Sequence, residues 1–180
     1  MRVIAGRHRG RALVAPRGRS TRPTPDRVRE ALFSILGPAE GLRVLDLFAG
    51  SGALAIEALS RGAASAVFVD SSAAAVAAIR RNLAALELEA EVWRMRASGF
   101  LQRARADARQ YDLVFVDPPY RAVSAISQEL STALAPVLAP GGRVVAESDR
   151  RAPLELEGWS MLDERRYGDT LIRFYHDPSR

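Results

Sequence analysis

From Leu42 onward, short apolar runs alternate with amphipathic stretches. Residues 43–48, 66–70, 90–95, 111–117 and 143–147 are brief and rich in Val, Leu and Phe, which predicts strands. Residues 53–61, 72–86, 98–106 and 123–138 carry apolar positions at helical spacing, with Val76, Ile79, Leu83, Leu134 and Leu138 as expected core. Pro140-Gly141-Gly142 predicts a turn into the fifth strand, and 159–167 with 170–176 predicts two strands around Gly168-Asp169. Strand–helix alternation implies a parallel doubly wound sheet, to which the terminal hairpin adds antiparallel edge strands.

The first 40 residues follow another pattern. Residues 2–5 and 12–15 are β-prone and flank an Arg-rich turn from Gly6 to Gly10, which predicts a hairpin. Pro16, Gly18, Pro23 and Pro25 keep the next stretch extended. Thr24 or Asp26 is the expected cap of a helix over 26–36, with Val28, Leu32, Phe33 and Leu36 as its apolar stripe and Gly37-Pro38 as its stop. The expected organisation is a basic hairpin and linker over 1–25 and an α/β domain over 26–180.

Composition narrows the class. At 180 residues and 48% hydrophobic content the chain can bury a core. No run reaches the roughly 18 apolar residues of a membrane span. Residues 1–30 lack an apolar signal region, so a cytoplasmic protein is expected. Without Cys there are no disulfides, thiolate metal sites or thiol nucleophiles. All 26 basic residues are Arg. Nine of them lie in residues 1–30 against Asp26 and Glu30, a local charge of +7, while the chain as a whole is +5 and residues 31–180 therefore sum to −2. A basic arm on a near-neutral body suits a polyanion, and Arg, which forks onto phosphate and stacks on bases, favours nucleic acid. A solvated tail that binds nothing is the alternative.

Two motifs carry chemistry. In Arg43-Val44-Leu45-Asp46-Leu47-Phe48-Ala49-Gly50-Ser51-Gly52, a buried strand runs into a Gly-rich turn that opens a helix. Gly50 and Gly52 let a ligand lie against the backbone, and the helix amides face it. Asp70 ends the next strand, where a carboxylate can bond a ribose, and Ser71 follows it as a second candidate contact. These features suit an adenosine-bearing cofactor. The spacing also fits a dinucleotide fingerprint, but Asp46 would repel a pyrophosphate and attract a cationic amine. Turn-bonding or helix-capping carboxylates are the simpler readings of Asp46 and Asp70.

The second motif is Asp117-Pro118-Pro119-Tyr120, at the end of the fourth predicted strand and beside the Gly-rich strand. Two prolines stiffen the corner and remove backbone donors. The Asp117 carboxylate and Pro118 carbonyl remain as fixed acceptors. Together they can hold both hydrogens of an aromatic amino group and aim its lone pair at a sulfonium methyl, with no covalent enzyme intermediate. Pro119 and Tyr120 would border the base, Tyr120 by stacking. A rigid turn with a core Tyr is the alternative.

Asp46–Gly52 resembles the methyltransferase cofactor motif, with Asp46, Phe48, Gly50, Ser51 and Gly52 at its matching positions, and Asp117–Tyr120 resembles the (Asp/Asn)-Pro-Pro-(Tyr/Phe) motif of amino-group methyltransferases. Arg2-Val3-Ile4-Ala5-Gly6, Arg9-Gly10-Arg11, Arg22-Pro23-Thr24 and residues 26–33 resemble the bacterial 16S rRNA guanine-N2 methyltransferase family (RsmD type), as do Ala53-Leu54 and residues 57–61. The resemblance spans nearly the whole chain. It implies a Rossmann-like doubly wound sheet of the class I S-adenosylmethionine-dependent methyltransferases with a small N-terminal β-hairpin extension. The implied product is N2-methylguanine in 16S rRNA of an assembling small subunit. The implied RNA grip comes from Arg7, Arg9, Arg11 and Arg22, with Thr24, Asp26 and Arg27 near the cofactor. A monomer without metal or membrane association is expected.

The chain departs from that family at Arg94-Met95-Arg96-Ala97-Ser98, where an acid that takes the adenine amino group is missing, which leaves Ser98 or backbone groups, and at Ala55, which replaces a Gly. Glu57 could meet the cofactor amine or be a surface charge. Trp93 and Trp159 are expected to pack. The rival functions are a DNA adenine-N6 methyltransferase, for which 180 residues leave little room for a target-recognition domain, and a non-catalytic assembly factor.

Overall fold

A computed structural model describes residues 1–16, 25–119 and 123–179, with the side chains of 123–125 left out. Arg22, Thr24 and Tyr120 therefore lie outside the described residues. The element order is α1 (Asp26–Leu36), β1 (Arg43–Leu47), α2 (Ala53–Ser60), β2 (Ser65–Asp70), α3 (Ala73–Ala85), β3 (Glu91–Arg94), α4 (Ala97–Ala106), β4 (Tyr111–Val116), α5 (Val123–Leu134), a 3-10 turn (Ala135–Val137), β5 (Leu138–Asp149), β6 (Ser160–Tyr167) and β7 (Thr170–His176). The sheet runs β3-β2-β1-β4-β5-β7-β6. β1 to β5 are parallel, and β7 is antiparallel to both β5 and β6.

Period two sorts the sheet's side chains onto two faces. Val44, Ala66, Phe68, Leu113, Phe115 and Val145 pack toward residues of α1, α2 and α3. Leu45, Leu47, Val67, Val114, Val116 and Val144 pack toward α4 and α5. Arg43 locks β1 beside β4. Its backbone N–H and Nε donate to Asp112 Oδ2 at 2.8 and 2.9 Å, and its terminal nitrogen donates to Oδ1 at 2.9 Å. That fork holds the Asp112 carboxyl below its usual range.

Three local expectations change. Asp26 does not cap α1: Pro25 occupies that position with φ −58°, and Asp26 instead pairs with Arg29 at 2.8 Å from inside the first turn. Pro140-Gly141-Gly142 is not a free turn but part of an irregular β5. Tyr111 pairs with Leu138 and Leu113 with Arg143, so the extra residues of β5 bulge out between. Pro136 ends α5 early, converting its last turn to 3-10.

The N-terminal hairpin is narrow, closed by an Arg2–Ala12 bridge and by Val3 N–H to the Arg11 carbonyl at 3.0 Å. It is packed on the domain, since Val3 and Leu13 join the α1–α3 core. Gly6, at φ +80°, lies against α2, and a Cβ there would run into the Ser60 carbonyl that accepts from Arg7 N–H at 2.8 Å. Gly6→Ala should therefore lift the hairpin off α2. We expect a loss of about 2 kcal/mol, or roughly 4–8 °C in Tm. An unchanged melting curve would show that this contact does not hold the hairpin.

Candidate active site

The carboxyl ends of the parallel strands form the site edge. Asp46 lies within β1, Asp70 ends β2, Asp117 follows β4, and Glu147 lies in β5. Leu47 pairs with Val69 and with Val116, and Val116 pairs with Ala146. Asp70, Asp117 and Glu147 thus sit one step past a common level, with Asp46 two steps deeper on β1. Alternation assigns all four to the face that α1–α3 cover, because Val44, Phe68, Phe115 and Val145, each two residues from one of them, pack there.

The Gly-rich turn folds over this edge. Phe48 has φ +65°, a left-handed conformation that costs a non-Gly residue roughly 1–2 kcal/mol. Gly50 and Gly52 follow at φ +57° and +78°. A Cβ on Gly52 would lie 3.0 Å from the Phe68 ring, tighter than an ordinary contact, so the turn is packed closely on β2. Asp70 fastens the turn: one carboxylate oxygen accepts Gly50 N–H at 2.9 Å and the other accepts Ser72 N–H at 2.8 Å. The turn-bonding reading of Asp70 is therefore real, yet a carboxylate offers about four acceptor positions and two stay open for hydroxyls. Ser72 itself caps α3, accepting from Ala75 N–H at 3.4 Å, and Ser71 stands exposed beside it.

Asp46 is almost fully buried and accepts one long bond, from Ala55 N–H at 3.4 Å. Burial, and secondarily the neighbouring Asp70, push its carboxyl up to about 8. Asp117 is also pushed well above its usual range, by burial first, then by Glu147 and by Asp46. Pro118 is buried and Pro119 exposed. The edge is thus a concentration of carboxyl groups held against their preference to be solvated, which suits a cationic ligand and an amino group that donates hydrogen bonds.

Glu57 is neither a ligand for the cofactor amine nor a surface charge. It is fully buried, accepts from Ile4 N–H at 2.7 Å and Ala5 N–H at 2.9 Å, and pairs with Arg61 at 2.8 Å. Arg29, equally buried, lies 3.9 Å from Glu57 and donates to the Arg2 carbonyl at 2.5 Å. Asn82 is a second clasp that sequence reasoning missed. Its amide donates to the Val14 carbonyl at 3.0 Å and the Ser51 carbonyl at 2.9 Å, while its oxygen accepts Val14 N–H at 2.8 Å. The hairpin and the Gly-rich turn are thus joined through one side chain. The only signal was a polar residue between Ile79 and Leu83 on an apolar helix face.

Arg7 and Arg9 stand exposed on the hairpin, whereas Arg11 donates to the Ala85 carbonyl at 2.7 Å and helps hold the hairpin on α3. Ser51 directs its hydroxyl to the Met1 sulfur at 3.6 Å. Ser98 is partly buried in the first turn of α4. Trp93 and Trp159 pack as expected, Trp93 on Phe100 with ring centroids 6.0 Å apart and Trp159 donating to the Ser131 carbonyl at 2.9 Å.

A seven-stranded sheet of this order, with a Gly-rich turn after β1 and an acid–proline corner after β4, defines a class I methyltransferase fold. A ribosomal protein L11 methylase of Lactobacillus delbrueckii subsp. bulgaricus shares that fold at TM-score 0.69 and 19% identity, covering 84% of this chain and 78% of the other. The family model described as Conserved hypothetical protein 95 matches residues 1–176. The Ribosomal RNA small subunit methyltransferase D of Escherichia coli strain K12 is 37% identical over 181 residues, spanning 97% of this chain and 89% of that protein. A hypothetical protein of Thermus thermophilus superposes at TM-score 0.84 with 33% identity, covering 97% and 98% of the two chains. The chain belongs to this small-subunit rRNA methyltransferase D family.

Asp46 sets a stability test. A carboxyl at about 8 when folded and near 3.8 when unfolded binds more protons in the folded state. Its contribution is complete below the lower value and is lost as pH rises through the upper one. The stability advantage of Asp46→Asn over the parent should grow between about pH 5 and pH 8, by at most about 1.4 kcal/mol per unit, and level off above. Denaturant melts across that range would reveal it; parallel pH profiles would refute the burial effect.

Proposed function

We propose that this protein transfers a methyl group from S-adenosylmethionine to the exocyclic N2 of a guanine in 16S rRNA. The observation that carries the reading is the register of β1 and β4, which sets the Gly-rich turn and the Asp117-Pro118-Pro119 corner at the same edge of adjacent strands. The bound cofactor supplies a sulfonium-activated methyl group. Among the chain's own residues, Asp70 has acceptor positions left for ribose hydroxyls. Phe48, Gly50, Ser51 and Gly52 bring backbone close to the ligand, beside Ser71, and the buried Asp46 carboxyl, protonated in the ligand-free site, would ionise against a cationic amine. Thr24, beyond the described residues, remains a candidate contact by resemblance.

Asp117 and the Pro118 carbonyl accept the two hydrogens of the target amino group and turn its lone pair toward the methyl carbon. Such fixed acceptors act by positioning and electrostatics. Tyr120 and Pro119 flank the planar base, stacking on Tyr120 contributing roughly 1–3 kcal/mol. The relatives' printed name and the basic hairpin together support RNA as substrate. Arg7, Arg9 and Arg22 would bind phosphates, and Arg11 would share that task with its hold on α3. The reaction needs no metal. The family's substrate supports a cytoplasmic setting, and we take the working unit to be a monomer.

Asp117→Ala should reduce methyl transfer at least 1,000-fold, on the order of 4 kcal/mol in the barrier, while calorimetry gives cofactor affinity within a few fold of the parent. Nucleoside analysis of small-subunit RNA after incubation with labelled cofactor should yield N2-methylguanosine. Full turnover by the variant, or N6-methyladenosine as the product, would overturn the assignment.

The hairpin cannot be tested by deletion, because removing residues 1–20 would leave Glu57 buried without its backbone donors. Replacing Arg7 and Arg9 by Ser avoids that. If each meets one phosphate, the slope of log K against log salt for RNA binding should flatten by about 1.4–1.8. An unchanged slope would remove these two residues from the interface.

A further inference from the structure

We propose that Glu147 is the second carboxyl group of the transfer site, a positioning residue that acts through Asp117: the two acids share one proton in the ligand-free site, release it to solvent when the cationic cofactor binds, and then take up the proton that the methylated nitrogen must shed. This rests on the role given to Asp117 above.

Strand register carries the proposal. Val116 of β4 pairs with Ala146 of β5 as the last pair of that ladder, and Asp117 and Glu147 are the residues that directly follow, so continuing the register sets them abreast. In-register neighbours of parallel strands point to the same side and lie about 4.8 Å apart along the hydrogen-bonding direction. Phe115 and Val145, two residues earlier, both pack on the α1–α3 face, which assigns Asp117 and Glu147 to that face. Glu147 is 6% exposed. On its other side β7 sets Ile172, apolar and fully buried, opposite Glu147. Further along the edge, β1 and β2 contribute the buried carboxyl groups of Asp46 and Asp70. On α1 the buried guanidinium of Arg29 is engaged by Asp26, the Arg2 carbonyl and Glu57. Every charge acting on Asp117 raises its proton affinity. Two neighbouring carboxyl groups, Glu147 buried and Asp117 half-buried, titrate as a pair; near neutrality the ligand-free pair keeps one proton, which the positive charge of a bound sulfonium drives off.

The chemistry requires an acceptor. As the amino nitrogen attacks, its lone pair forms the new nitrogen–carbon bond while the carbon–sulfur pair returns to sulfur, leaving a neutral thioether. The nitrogen then carries a positive charge and loses one hydrogen as a proton. Asp117 already accepts that hydrogen, and its carboxylate takes the proton. Glu147 makes Asp117 basic enough to do so, and the pair keeps the proton until the next cofactor drives it off to solvent. Asp117 alone, in a polar setting, would be a far weaker base.

Glu147→Gln keeps the shape and removes the charge. In single-turnover methylation of unmodified small-subunit particles, the acid limb of the pH–rate profile should move down by one unit or more, because Asp117 ionises more easily without its neighbour's charge. The plateau rate should fall about tenfold, because Asp117 becomes a weaker base. A purely structural role would lower the plateau without moving the limb. Infrared spectra of the unliganded parent near neutral pH should contain a protonated-carboxyl band that Glu147→Gln diminishes, a readout free of turnover; Glu147→Asp should restore the limb toward its original position. A limb that stays in place, or a parent without the band, would overturn the pair. Asp117→Asn separates the two layers: if it turns over fully, the assignment of Asp117 itself falls. If it is inactive while the Glu147→Gln limb is unmoved, only the shared proton falls.

Discussion

A set of carboxyl groups gathered at one end of a parallel sheet is the constraint from which the rest of this molecule follows. Asp46, Asp70, Asp117 and Glu147 come from four adjacent strands and, by alternation, from one face. Burying carboxyl groups costs free energy unless they are protonated or paired. The protein solves this unevenly. Asp70 is satisfied by two backbone amides of the turn and of α3, whereas Asp46 has one long bond and Asp117 has acid neighbours. Unsatisfied acids at an open edge create demand for a positive ligand and for hydrogen-bond donors. The proposed pairing of a sulfonium cofactor with an amino group answers that demand, and on that reading the electrostatic strain of the ligand-free fold is itself the recognition device.

The opposite problem arises for RNA. A body with net charge −2 over residues 31–180 gives phosphates little to bind. On the proposed reading the basic hairpin supplies the attraction, and it must then be held at a fixed distance from the site, because misplacing a reacting group by an ångström is expensive in rate. A flexible tether would not do this. Glu57, with no water to solvate it, requires the Ile4 and Ala5 amides, and Ser60 requires the Ala5 carbonyl, which accepts its hydroxyl at 2.6 Å. The cost of leaving such a buried charge unpaired is what makes the attachment firm.

Much of this is readable in the sequence, and the reasons are local. A Gly-rich turn needs Gly where φ is positive, and an acid–proline corner is written in consecutive letters, so both sites announce themselves at their own positions. Strands and helices follow from periodicity, and the order of elements from their alternation. What fails to show depends on distant contacts. Glu57 meets residues 52 and 53 positions away, and Asn82 meets Val14 across 68. No pattern around Glu57 distinguishes a buried anchor from an exposed charge. Glu147 lies beside Asp117 only because β5 absorbs extra residues at 139–142 before its register with β4 resumes, a slip that the letters Pro140-Gly141-Gly142 suggest as a turn. The Asp26 cap fails for a simpler reason: Pro25 has the fixed φ the position needs, and Arg29 draws the Asp26 carboxylate away.

The two functions meet on one short helix. α2 starts directly after its N-cap Gly52, the last residue of the Gly-rich turn, and Glu57 lies five residues beyond that cap, a rise of roughly 8 Å. Its next turn holds Ser60 against the hairpin. A helix of this length has little freedom to bend, so the distance from turn to hairpin is set by backbone geometry. Asn82, on α3, closes the same gap from the other side by bonding Ser51 and Val14 at once. Two independent rigid links across one gap remove the rotation that either alone would leave. The hairpin arginines proposed to grip RNA and the acid corner are thereby held in one frame, so that on the proposed reading the alignment of the target base with the methyl donor is a property of the fold rather than of the encounter.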